Sequence, residues 1–203
     1  MLRISFCLCA IFIIASGVSA QENEKAEEHY STGYELLTKR NFRNAAIEFE
    51  QAVNANPAYG EAHYLLAQAY NVLNEYEKAI KAYEKARELG IRPEKCTSAL
   101  GKLYNKSAIS SLQQRKYGEA VVRFERALQL DPKNAKTLYA LGLSHSGNRN
   151  EAKAQKAFED AVKADPQNAK AHYQLADMQR RRRDYGPAAT TYQKAIDADS
   201  KYM

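Results

Sequence analysis

Residues 135–168 read AKTLYALGLSHSGNRNEAKAQKAFEDAVKADPQN, and this stretch decides the fold. Leu138, Leu141, Gly142 and His145 fall at helical spacing on one face. Ala154, Phe158 and Ala161 do the same further on. Between the two sets lies a polar segment, Ser146 to Asn150, which includes Gly147 and suits a tight turn. Pro166 then follows the second periodic run, where a residue without an N–H ends a helix. The stretch is therefore expected to form two antiparallel helices joined by a turn.

The same unit recurs outward in both directions. The small landmarks Ala45, Ala79, Ala120, Ala154 and Ala188 occupy one position of it, and Ala52, Ala86, Ala127, Ala161 and Ala195 another. Gly33, Ala67, Ala108, Gly142 and Ala176 occupy a third. An aromatic residue follows at Phe49, Tyr83, Phe124, Phe158 and Tyr192. Small side chains at fixed offsets are what close helix crossings need, because a larger group would force the axes apart. Asn56-Pro57, Asp131-Pro132 and Asp165-Pro166 mark the ends of three units. A fixed period of this kind signals a repeat architecture.

The units are 26–59, 60–93, 94–134, 135–168 and 169–202, with the third in register from Gly101. That unit carries seven extra residues, close to two helical turns, so the apolar face stays in phase. Glu94 to Gln113 is thus predicted to be one lengthened first helix, the alternative being a loop at 94–99. Thr32 and Gln179 stand where larger apolar residues are usual, as expected of end units.

Composition sets the outer bounds. The chain has 203 residues, 45% hydrophobic and 27% charged, with 9 Gly and 5 Pro, which favours continuous helices. The formal charge is +6, but Lys and Arg are interleaved with Glu, as on a solvated surface. Nucleic acid is disfavoured as a partner. Residues 1–20 read as a secretory signal peptide: Arg3, an apolar run from Ile4 to Ala15, and Val18-Ser19-Ala20 before a cut at Gln21. The run is too short for a confident membrane span, and Cys7 and Cys9 lack the flanking pattern of a lipid-attachment site. The expected location is exported, periplasmic first and otherwise secreted, with no transmembrane span after cleavage. Residues 21–25 form a polar leader expected to fray. Cys96 would then be the sole remaining cysteine, read as a small buried residue, with a disulfide-linked dimer as the alternative.

The repeated landmarks resemble the tetratricopeptide repeat (TPR) family over residues 26–202. The resemblance implies an all-α, right-handed superhelical solenoid of five helix-turn-helix hairpins, with the first helices lining a concave groove. It also implies which positions face that groove: Tyr30, Tyr34, Tyr64, Gln68, Lys102, Asn105, Lys136, Tyr139, Lys170, Tyr173, Arg180 and Arg181. Glu27 and Glu61 stand where later units carry Lys102, Lys136 and Lys170, an acidic-to-basic change along the chain that would orient an extended partner. Tyrosines give wide contact area at low entropic cost. Packing of these rings on neighbouring repeats is the alternative. Family members that hold a C-terminal carboxylate do so through Lys and Asn; the matching residues here are Tyr30 and Tyr34, Tyr64 and Gln68, and Tyr139 and Leu143, so that ligand is disfavoured.

Nothing in the sequence has the spacing of a nucleophile motif or a phosphate loop. His29, His63 and His172 recur one unit or more apart, too far to share a metal ion. Arg180–Arg183 reads as the end of a helix and its turn. Asn105-Lys106-Ser107 is a glycosylation sequon inside a predicted helix. The expected function is a non-enzymatic, cofactor-free and metal-free scaffold for a protein or peptide partner. The rival is assembly into a homo-oligomer or envelope complex through the last hairpin.

Overall fold

The computed structural model describes residues 3–200, with side chains described for 20–199. Among the described residues there are ten α-helices and no strand. They are α1 (Arg3–Thr38), α2 (Phe42–Ala55), α3 (Gly60–Val72), α4 (Tyr76–Glu88), α5 (Pro93–Gln113), α6 (Tyr117–Leu130), α7 (Ala135–Gly147), α8 (Glu151–Ala164), α9 (Ala169–Arg181) and α10 (Tyr185–Ser200). The chain divides into two compact units, Met1–Ala99 and Leu100–Met203, with the boundary inside α5. In the first unit α1 packs on α2, α2 on α3 and α3 on α4. In the second, α6 packs on α7 and the series continues pairwise to α10.

The lengthened first helix is present. α5 has 21 residues where α3, α7 and α9 each have 13. No loop interrupts 94–99, and Pro93 opens the helix where its missing N–H costs nothing. The polar leader differs from expectation. Residues 21–25 are helical within α1, and Asn56 Nδ2 donates to Asn23 Oδ1 at 2.7 Å, so the leader is tied to the end of the first hairpin. α1 also runs through the expected cleavage position. The side chains of residues 1–19, including Cys7, Cys9, Val18 and Ser19, lie outside those described. No helix among the described residues is long and apolar enough to cross a membrane.

The core follows the landmarks. All ten alanines of the two second-helix positions are buried, and Phe49, Phe124 and Phe158 are enclosed completely. Full burial of such a side chain contributes about 1.5–3 kcal/mol. Ala108 of α5, Ala120 and Phe124 of α6 and Leu141 of α7 form one continuous cluster, with Leu112 and Val121 at its edge. Helix starts are fixed locally as well. Asn134 and Asn168 accept from the backbone N–H of Thr137 and Ala171, each at 3.1 Å, satisfying donors that the helix leaves open.

Every turn inside a hairpin closes in the same way. Arg40, Asn74, Arg115, Arg149 and Arg183 have φ between 58° and 68°, the left-handed region. The next residue donates back to the carbonyl five positions earlier, as Asn150 does to His145 at 2.8 Å and Lys116 to Ser111 at 2.9 Å. Glycine or asparagine is the usual occupant of such a position, yet four of the five are arginine. The Gly147-containing turn expected from sequence exists, but Arg149 takes the left-handed step. Gly147 ends α7 beneath the ring of Tyr117.

Candidate functional site: the first-helix faces

One contact recurs in four hairpins. The tyrosine at the fifth position of the repeat unit, on its first helix, meets the aromatic residue of the second helix. Tyr30 lies 5.9 Å from Phe49, Tyr64 lies 5.7 Å from Tyr83, Tyr139 lies 5.7 Å from Phe158 and Tyr173 lies 5.5 Å from Tyr192. Tilted and edge-to-face rings at these separations attract beyond simple burial. The third hairpin has Asn105 instead. Its Nδ2 donates to Gly101 O at 3.3 Å, and its Oδ1 accepts from Thr137 Oγ1 at 2.8 Å, so it links α5 to α7. The sequon Asn105-Lys106-Ser107 therefore lies inside a helix, with its Asn engaged and Ser107 buried.

In the first unit, the rings differ in what covers them. Tyr30 stacks on Tyr59 at 4.9 Å and on Tyr34 at 6.4 Å. Tyr34 is 51% exposed. Tyr64 is only 6% exposed, and the Arg92 guanidinium sits 4.8 Å from its ring centroid while pairing with Glu61 at 3.3 Å. Gln68 is half-buried one turn along. Burial raises the Tyr30 and Tyr59 phenols above their ordinary range, and the carboxylates of Glu61 and Glu27 add to both shifts. Sequence spacing did not single out Arg92 or Tyr59. Both lie in the connections that follow second helices, outside the first-helix periodicity that located the other residues.

In the second unit, Tyr173 is 55% exposed and Tyr139 half-buried, with Lys102, Lys136 and Lys170 exposed. The expected groove arginines are engaged within their own helix. Arg180 Nη2 reaches Asp177 Oδ1 at 2.6 Å, and Arg181 Nη2 reaches Asp177 Oδ2 at 2.8 Å. The Arg180 hydrogen bond holds the Asp177 carboxyl below the usual carboxylate range, against a burial effect of opposite sign. A cleft of about 220 Å³ lies behind this end, lined by Glu159, His172, Leu175, Met178 and Gln179 among others. Gln179 Oε1 is buried there with no protein partner. This is the position that sequence marks as departing from an apolar residue.

The histidines act structurally. His63 Nε2 contacts Pro57 O and His172 Nε2 contacts Pro166 O, both at 3.1 Å, so each ties its helix to the connection before it. His29 Nδ1 meets Glu48 Oε2 at 2.8 Å. His145 is buried, and burial lowers its pKa. Among the described residues no group of His, Cys, Asp and Glu is placed to hold a metal ion. Cys96 is buried with its Sγ against Ile91 O at 3.2 Å, and burial pushes its thiol pKa up. That position matches the small-buried-residue reading and keeps the Cys96 thiol away from the surface, where a disulfide-linked dimer through it would form.

The architecture is that of an all-α repeat protein built from helical hairpins. The family models described as Tetratricopeptide repeat and TPR repeat match residues 30–93 and 139–202, and residues 112–148, respectively, and the chain belongs to the tetratricopeptide repeat family. It is similar to the Hsp70-Hsp90 organising protein of Plasmodium falciparum (isolate 3D7), 29% identical over 114 residues, and to the BBSome complex member BBS4 of Bos taurus, 28% identical over 122 residues. Each match covers 56% of this chain but only 20% and 23% of those proteins. A crystal structure of MamA has the same fold, with a TM-score of 0.57 at 20% identity, covering 84% of this chain and 95% of that one.

Proposed function

We propose that this protein is a non-catalytic interaction scaffold that holds an extended segment or helix of a protein partner against the first-helix faces of its hairpins. The observation that carries this reading is the repeated aromatic pair. Four tyrosines are held at equivalent places by an aromatic ring behind them, buried in three of the four hairpins, so little side-chain freedom remains to be lost on binding. Exposed Tyr34 and Tyr173 offer the most contact area. Membership of a family whose matched relatives include an organising protein and a complex member supports an interaction role. The basic-apolar-small pattern of residues 1–20 supports export, to the periplasm first and otherwise to the medium.

Capture from the exported fraction tests the site. Wild type and the triple variant Tyr34→Ala, Tyr139→Ala, Tyr173→Ala are used as bait, and bound proteins are identified by mass spectrometry. A partner retained by wild type and lost by the variant supports the reading; equal retention overturns it. A mature chain beginning at Gln21 supports export, and an intact Met1 in the cell interior overturns it.

A second reading, self-assembly or incorporation in an envelope complex, draws on α10, where Tyr185 and Ile196 are 65% and 61% exposed. Light scattering on the purified protein separates the two, and a monomer at all concentrations removes the homo-oligomer.

A further inference from the structure

Arg92 is the chain's own cation seated on a tyrosine of the candidate face. Its guanidinium covers Tyr64 at 4.8 Å and pairs with Glu61 at 3.3 Å, and it does so from a backbone with φ +44°. A side-chain-bearing residue in that region is held there against its local preference. The contact therefore shows how this surface grips a guanidinium: an aromatic face beneath it and a carboxylate beside it.

One hairpin earlier the same elements stand without a cation of their own. Tyr30 lies between Tyr34 and Tyr59, and Tyr34 is largely exposed. Glu27 is exposed, faces Tyr30 and Tyr59 electrostatically, and makes no ion pair among the described residues. Glu61 faces the same two rings, with Arg92 offsetting it. An anionic side chain arriving here would meet like charge, whereas a cation would meet an open carboxylate and the electron-rich faces of the tyrosines.

We propose that the face formed by Tyr30, Tyr34, Tyr59 and Glu27 takes an arginine or lysine side chain of an extended partner segment, repeating between molecules the contact that Arg92 makes over Tyr64. This rests on the reading of the first-helix faces as a peptide-binding surface and adds the chemistry of the partner. The occupant is a basic segment of a protein. The closest intramolecular precedent is a single guanidinium, so one or two cationic residues suffice.

The test uses the whole chain and a position-scanning array of decapeptides carrying Arg, Lys, Glu or Ala at one fixed position. Binding is then quantified by fluorescence anisotropy. Arg and Lys peptides are expected to bind about tenfold more tightly than their Glu counterparts. Glu27→Gln and Tyr34→Ala, both at exposed positions, are expected to erase most of that preference with unchanged thermal unfolding. Binding without preference for a cation, or a preference that survives both substitutions, overturns this inference while leaving the peptide-binding surface intact. Failure of every peptide to bind overturns both.

Discussion

Phe158 fills the space that a Cβ on Gly142 would need. Such an atom would meet ring carbons Cε1 and Cδ1 of Phe158 at 2.4 and 2.5 Å, far inside van der Waals contact. The two residues lie on α7 and α8, and their approach sets how closely the helices of that hairpin pack. Gly33 stands against Phe49 in the same relation in the first hairpin. Gly142→Ala is therefore expected to destabilise the protein by about 1–3 kcal/mol, because a fully enclosed ring has nowhere to go. Gly118→Ala in α6, where nothing lies within 4 Å, is expected to be neutral or mildly stabilising. Urea unfolding of the two variants makes the comparison.

The arginines in left-handed turns predict a gain. Arg149 has φ 59° in the turn between α7 and α8. Arg149→Gly relieves the backbone and is expected to stabilise by about 0.5–1 kcal/mol after the added freedom of the unfolded glycine is counted. Arg149→Val, with a branched Cβ in the same conformation, is expected to lower the urea midpoint. A rise for both would mean that backbone conformation is not what limits this turn.

The tyrosines separate into two kinds. Tyr64, buried under Arg92 and against Tyr83, is a packing residue, and Tyr64→Ala is expected to cost about 3 kcal/mol. Tyr173→Ala removes a ring that is more than half exposed and is expected to change stability by less than about 1 kcal/mol. Thermal and chemical unfolding of the pair checks the division. Ala154→Leu, at a fully enclosed helix crossing, is expected to resemble Tyr64→Ala in its effect on stability.

Acid acts at different pH through histidines and through carboxylates, of which His145 and Asp177 are one each. Burial lowers the His145 pKa in the folded state, so the unfolded chain binds the proton more readily. Its stabilising contribution is complete above the unfolded value of about 6.5 and declines as pH falls through that value toward the folded one. His145→Gln is expected to remove part of this decline and leave the part due to His63, whose pKa burial also lowers. Asp177 is also shifted down, but as an acid: its contribution holds above about 3.9 and is lost as pH falls through the folded value. Asp177→Asn is expected to shrink this lower step without touching the histidine one. Stability measured at intervals from pH 8 to pH 2 distinguishes the two.

The lengthened α5 shows why so much of the fold was legible in the chain. Seven extra residues keep a helical face in phase, so the insertion declares itself as helix without reference to anything distant. The leader at 21–25 was less legible. Its helicity goes with a contact to Asn56 of the first hairpin, and polar composition alone carries no trace of that bond.

The sequence by itself determined the all-α class, the five hairpins, three of their ends at prolines and the small and aromatic residues at their crossings. These are local consequences of a repeated spacing, since each hairpin must bury the same stripe in the same way. Tertiary structure alone decided which of the equivalent tyrosines are open. Tyr30, Tyr64, Tyr139 and Tyr173 share one repeat position, yet Tyr59 stacks on the first, Arg92 covers the second and the fourth projects into solvent. The first two are covered by residues in the connections, whose course depends on packing between hairpins and not on the period within them. Arg180 and Arg181 are a different case: placed on a binding face by their register, they hold Asp177 three and four residues earlier on the same helix, a local contact that helical spacing itself permits.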